Sequence, residues 1–310
     1  MAHARAAVRF TLAIAVVLGA CGGEQGALTA EGEEIVIADV GFMTPESIVM
    51  DTIDDVYLVS NVNGGPVDED DNGFISRVTP DGQVETLKWI DGADPMITLN
   101  APKGMALRGD SLFVADIDCV RVFNRVTGEQ QTGTCIDGAT FLNDVAVGPE
   151  GSLFVTDTGM RAGPEDLEPA GTDAIYRLPL EEGRRATTVT QGADLGGPNG
   201  IVVGSRGIMV VTSRSGELLR FTPTGEKTQV MPPSPLELDG LIRTPDGGFL
   251  FSSWGESAIY RIGSDGRVTQ VFTGIASPAD IGFDPRRNRV LIPVFLEDRV
   301  VIRELPTSAQ

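Results

Sequence analysis

The chain has 310 residues, room for one large domain plus a short leader, and carries 44 acidic against 24 basic side chains for a net charge of −20. Such a surface repels phosphate backbones, and with no nucleic-acid motif present nucleic acid is excluded as a partner. The single histidine, His3, lies at the extreme N-terminus, which excludes Ser-His-Asp and Cys-His nucleophile arrangements and imidazole metal sites.

Residues 1–9 contain Arg5 and Arg9 and no acid, and the apolar run 10–18 is too short to span a bilayer, the pattern of an export signal. Leu18-Gly19-Ala20-Cys21 looks like a bacterial lipobox, so residues 1–20 read as a lipoprotein signal peptide and Cys21 as the lipidated new N-terminus. The alternative is an ordinary signal with an incidental cysteine. Residues 21–32 are then a flexible tether and 33–310 the folded part. The expected location is the bacterial cell envelope, on the periplasmic side or the cell surface, with the lipid on Cys21 as the one membrane contact.

Residues 33–39 (EEIVIAD) read as a strand with no hairpin of its own. After them one pattern recurs six times: a polar residue, a short strand, a turn and an apolar return strand. The copies start at Glu46, Lys103, Asn143, Asn199, Asp239 and Ala279, with spacings of 57, 40, 56, 40 and 40 residues. A unit of 40 suits a four-stranded propeller blade. Third strands are legible at 73–79, 119–125, 174–180, 217–223, 258–264 and 299–305, and fourth strands follow five of them. The sixth has none, so the spare N-terminal strand is expected to pair with the last blade and close the ring, removing an open sheet edge. The expected fold is all-β, a six-bladed β-propeller of four-stranded blades. In the copy at 239, Asp239-Gly240 reads as a turn before a short strand at 241–244, and Pro245-Asp246-Gly247 as the turn into the return strand.

Cys119 and Cys135 fall opposite each other in the third and fourth strands of the second blade. In an exported protein they read as a disulfide contributing about 3 kcal/mol, the alternative being two separate buried thiols. Neither looks catalytic.

In a propeller the residue before each innermost strand lies at one mouth of the axial channel, so the six repeat starts become neighbours. Glu46, Asn143, Asn199 and Asp239 then offer side-chain oxygens to one point. Asn and Asp are ordinary turn formers, but Glu46 is not, and four oxygens converging at one mouth point to a hard cation. An oxygen-only site with two formal charges suits Ca²⁺, with Mg²⁺ or Mn²⁺ as lesser possibilities. Without histidine, hydrolysis would need an acid as its base. Asp239 fits that role beside a cation that polarises a carbonyl oxygen. The two enlarged copies carry their extra residues at 61–72 and 158–172, on the same face, where they would rim the site. The acidic run 68–71 reads as a solvated loop.

Glu46, Asn143-Asp144, Pro198-Asn199-Gly200 and Asp239-Gly240, in this order and spacing, resemble the six-bladed propellers of the gluconolactonase and regucalcin (senescence marker protein) family, with paraoxonases as more distant relatives. The resemblance covers residues 33 to about 305. It implies that Glu46, Asn199 and Asp239 bind a divalent metal, that Asn143 lies beside it touching substrate or water, and that Asp239 is the general base for lactone opening. The family's sugar-lactone hydrolases carry an arginine two residues before the equivalent of Asn143. Here that residue is Phe141, which favours a less polar lactone or ester. The histidine pair of paraoxonases is missing. Lys103, in the same ring, could hold a carboxylate or oxyanion, or balance nearby acids. The expected function is a divalent-metal-dependent hydrolase of a lactone or related ester, acting as a monomer on a small molecule. The alternatives are a non-catalytic ligand-binding or protein-interaction propeller with a structural metal, and a lyase or isomerase on a similar fold.

Overall fold

Each repeat grades from apolar to polar along its own length, and that gradient orders the strands from the axis outward. In the computed structural model, which describes residues 34–180, 185–232, 234 and 236–306, second strands such as Val56–Asn61 and Leu153–Asp157 are buried at every position. They lie inside a blade and between its two neighbours, so both faces meet apolar side chains. Fourth strands such as Val84–Asp91 and Gln130–Cys135 are mostly exposed or half-buried. The signal segment, Cys21, the tether and Glu33 lie outside the described residues.

Six antiparallel four-stranded sheets result. Their innermost strands are Pro45–Asp51, Pro102–Arg108, Leu142–Val147, Pro198–Gly204, Leu238–Arg243 and Gly282–Asp284. The outermost strand of the sixth blade is Glu34–Ile37, antiparallel to Arg299–Glu304 in a register that runs from Glu34↔Arg303 to Ile37↔Val300. The ring therefore closes as the spare strand requires. Ile37, Leu291, Val300 and Ile302 of the sixth blade pack with Ile48, Tyr57 and Val59 of the first in one core cluster, so the closure is apolar as well as hydrogen-bonded. Cys119 and Cys135 are register partners and form the expected disulfide.

Two local expectations change. Asp239-Gly240 is not a turn: it lies inside the strand Leu238–Arg243, at a bulge between the pairs Leu238↔Ser253 and Leu241↔Phe251. The same bulge interrupts the inner strands at Pro45/Ile48, Pro102/Met105, Leu142/Val145 and Pro198/Ile201. Glycine in second place serves close blade packing. A Cβ on Gly240 would collide with the backbone nitrogen of Ile281, and one on Gly200 with that of Leu241. The second change concerns the insertion at 158–172, which is not all loop. It holds a small hairpin, Met160–Ala162 paired with Leu167–Pro169.

Candidate functional site

A bulge puts two residues of one strand opposite a single partner residue and re-aims their side chains. Five bulges at equivalent places turn Glu46, Lys103, Asn143, Asn199 and Asp239 toward one cavity of about 570 Å³. The sixth repeat start, Ala279, is buried and brings no donor atom.

Residues ending the second strands fix these bulges. The Asp116 carboxylate accepts the backbone N–H groups of Asn100 and Ala101, with Ala101 at 2.8 Å, just before Lys103. Asp157 accepts those of Thr140 and Phe141 at 3.1 and 3.0 Å, just before Asn143. Asn61 Oδ1 accepts from Met43 at 3.1 Å, ahead of Glu46. One residue earlier, hydroxyls stitch neighbouring blades. Thr156 Oγ1 accepts the Asp144 N–H at 3.0 Å and donates to the Asn199 carbonyl at 2.8 Å. Ser252 Oγ accepts from Gly240 at 2.7 Å and donates to the Ala279 carbonyl at 2.8 Å.

Thr158 orients the amide of Asn143. Its hydroxyl donates to the Pro198 carbonyl at 2.7 Å, so it accepts from Asn143 Nδ2 at 2.8 Å. The Asn143 carbonyl oxygen must then point the other way. Among the described residues, Glu46 Oε2, Asn143 Oδ1, Asn199 Oδ1 and Asp239 Oδ1 are buried oxygens with no hydrogen-bond donor. All four residues line the same cavity. Buried acceptors without donors are costly, and four facing one space fit a hard cation with oxygen ligands. Glu46, Asn199 and Asp239, with Asn143 beside them, could hold it.

The electrostatics agree. Burial, then the charge of Asp280, pushes the Asp239 carboxyl up to about 8, although the Trp254 and Asn199 side chains oppose the shift. Glu46 is raised well above the usual carboxylate range by burial and by the charges of Asp239 and Asp280, with Lys103 pulling the other way. These groups lack enough positive charge, and a divalent ion would supply it.

Lys103 is 1% exposed, and its ammonium donates to the carbonyls of Pro66 and Ala101 at 2.8 and 3.0 Å while sitting 4.5 Å over the Phe141 ring. Burial brings it down to about 8 against the charges of Glu46 and Asp116. It ties the first insertion, through Pro66, to the mouth. In that insertion Asp68 and Asp70 bond within the loop, to the Gly65 N–H and the Asn72 amide.

A second tier lies beneath the first, and the repeat starts alone do not show it. The residues after the six repeat starts are Ser47, Gly104, Asp144, Gly200, Gly240 and Asp280, and two of them are buried acids. Burial raises Asp144, helped by the charge of Asp280 and opposed by the N–H groups of Ile201 and Val145. Burial pushes Asp280 up to about 7, against the hydrogen bond from the Ser47 hydroxyl at 2.5 Å. Aligning the residue after each repeat start exposes both. A third register is equally readable. The residues following the second strands include Val62, Thr158, Ser213, Trp254 and Phe295, and all five line the cavity.

A family model described as the SMP-30/gluconolactonase/LRE-like region matches residues 45–283. No curated protein matches the chain. Among solved structures, a gluconolactonase from Xanthomonas campestris superposes with a TM-score of 0.68 at 17% identity, over 90% of this chain and 92% of that one. A putative gluconolactonase from a structural genomics programme gives 0.65 at 18%, over 90% and 95%. A virginiamycin B lyase from Staphylococcus aureus, a catalytically inactive histidine-to-alanine variant with quinupristin, gives 0.58 at 16%, over 88% and 100%. At these identities the superpositions speak for the fold. The family model spans most of the propeller, and the chain belongs to the SMP-30/gluconolactonase/LRE-like family.

Proposed function

We propose that the protein is a divalent-metal-dependent hydrolase that opens a lactone or a related ester at the axial mouth. The observation that carries this reading is the set of four donor-less oxygens on Glu46, Asn143, Asn199 and Asp239, facing a cavity large enough for a small molecule. A cation held by Glu46, Asn199 and Asp239 would polarise the substrate carbonyl and offset the charge that develops on its oxygen.

The chain's own residues do the rest. Asp239, ionised beside the cation, takes a proton from water as the water oxygen bonds to the carbonyl carbon. The carbon–oxygen bond of the ring or ester then breaks, and the departing oxygen takes the proton back from Asp239. The products are a hydroxy acid, or an acid and an alcohol, and Asp239 returns to its starting state. Asn143, held by Thr158, faces the same point and orients water or substrate. A lyase step that works through a histidine, as the inactive variant indicates for that neighbour, has no histidine to use among the described residues of this chain.

Purified protein with Ca²⁺ should hydrolyse members of a lactone and ester panel. Chelation should abolish turnover, and Asp239→Asn should lower kcat by roughly 10² to 10⁴-fold with the fold intact. Retained metal binding without turnover of any lactone or ester would point instead to a binding propeller with a structural ion.

A further inference from the structure

The wall above the cation site differs sharply from its floor. Most of its polar side chains are engaged within the protein, the exceptions being the exposed Glu237 carboxylate at the rim and the Trp254 indole. Lys103 donates to two carbonyls, and Thr158 is shared between Asn143 and Pro198. Ser213 donates to the Gly197 carbonyl, and Arg214 is bound to the Thr158 carbonyl and the Asp173 carboxylate. Apart from Glu237, what faces the cavity otherwise is apolar, chiefly Val62 from the first insertion, Met160 and Leu167 from the hairpin, Phe141, and the pair Trp254–Phe295 with ring centroids 5.5 Å apart. Among the described residues the buried indole N–H of Trp254, which lines the cavity, has no hydrogen-bond partner. It lies near enough to Asp239 to oppose that group's shift.

A polyhydroxylated substrate needs a partner for each hydroxyl it removes from water, and this wall offers few, the Trp254 N–H and the Glu237 carboxylate at the rim. An alkyl or aryl group needs none and gains by leaving water. Met160, being unbranched and adaptable, suits a substituent of variable shape. Arg214 clamps the base of the hairpin through Thr158 and Asp173, so Met160 and Leu167 are held over the opening.

Resting on the hydrolase reading above, we propose that the substrate is a lactone or ester with one compact polar head and an aliphatic or aryl substituent. The head's carbonyl turns to the cation site, and its second oxygen accepts from the Trp254 N–H. The substituent lies between Met160 and Leu167 on one side and Trp254 and Phe295 on the other. Met160 and Leu167 are thereby specificity-determining residues, set by an insertion rather than by the blade pattern.

The test is a series of γ-lactones with alkyl groups from methyl to octyl, alongside glucono-1,5-lactone, assayed for turnover and, by calorimetry with Ca²⁺, for binding. The expected result is kcat/KM rising roughly threefold to fourfold per methylene until the cavity is filled, with the gluconolactone poorest. The double variant Met160→Ser, Leu167→Ser should flatten that dependence, whereas Leu167→Met should keep it. Unchanged Ca²⁺ affinity shows that both variants fold. Turnover independent of chain length, or fastest on the gluconolactone, overturns the substrate class and leaves the hydrolase standing. Chain-length-dependent binding without turnover sinks the hydrolase and supports the apolar site. Neither turnover nor binding overturns both.

Discussion

Asn143 directs its amide N–H to the hydroxyl of Thr158 at 2.8 Å, and that hydroxyl donates its own proton to the Pro198 carbonyl at 2.7 Å. One side chain from the start of the second insertion thus sets the amide of one candidate ligand and the backbone just before another, Asn199. Residues that orient metal ligands from behind commonly matter almost as much as the ligands.

Replacing Thr158 by valine keeps the size and removes both hydrogen bonds. Divalent-cation affinity is expected to fall by roughly 10–100-fold with the thermal transition little changed, as read by calorimetric titration. Thr158→Ser, which retains the hydroxyl, should bind like the parent protein. Equal affinity in the valine variant would show that Asn143 needs no orientation from Thr158.

The buried carboxylates make stability depend on pH in a definite direction. Burial, aided by Asp280's charge, lifts Asp239 to about 8, and burial lifts Asp280 to about 7, while Glu46 and Asp144 are also raised. Raised groups bind protons more tightly in the folded state. Their contribution is present below the unfolded value of about 4 and is lost as pH rises to between about 7 and 8. Metal-free protein should therefore melt at progressively lower temperature from pH 5 to pH 8. Saturating Ca²⁺ should remove most of that slope, and Asp280→Asn, which can still accept the Ser47 hydroxyl, should reduce it. A slope that is flat, or rises with pH, would contradict this electrostatic picture.

The disulfide closes a sequence separation of 16 residues across the outer hairpin of the second blade. Cys119→Ala with Cys135→Ala is expected to cost about 3 kcal/mol in denaturant unfolding. Cation affinity should not change, since the pair lies in the third and fourth strands while the site hangs on the inner bulges. A parallel loss of Ca²⁺ binding would mean that the blade transmits its outer edge to the axis.

Glu46, Asn143, Asn199 and Asp239 are legible in the sequence because a propeller converts sequence period into spatial adjacency: aligned repeat starts must meet. Asp280 is not found that way, because its repeat starts at an uninformative alanine and the acid comes one residue later. Asp239-Gly240 carries the composition of a turn yet lies in a strand. Its glycine answers to the backbone of the next blade at Ile281, a constraint set by a neighbour distant in sequence. Met160 and Leu167 are hidden for a different reason. They belong to an insertion outside the repeat, and only the hairpin pairing shows that they return over the mouth.

Four orphaned oxygens sharing one ion lie at the centre of the proposed chemistry. Crystals grown with Mn²⁺, measured at a wavelength where manganese scatters anomalously, address that directly. The expected map has one strong peak bounded by Glu46, Asn199 and Asp239, with the Asn143 carbonyl facing it. No peak there, or manganese bound elsewhere on the acidic surface, would contradict it.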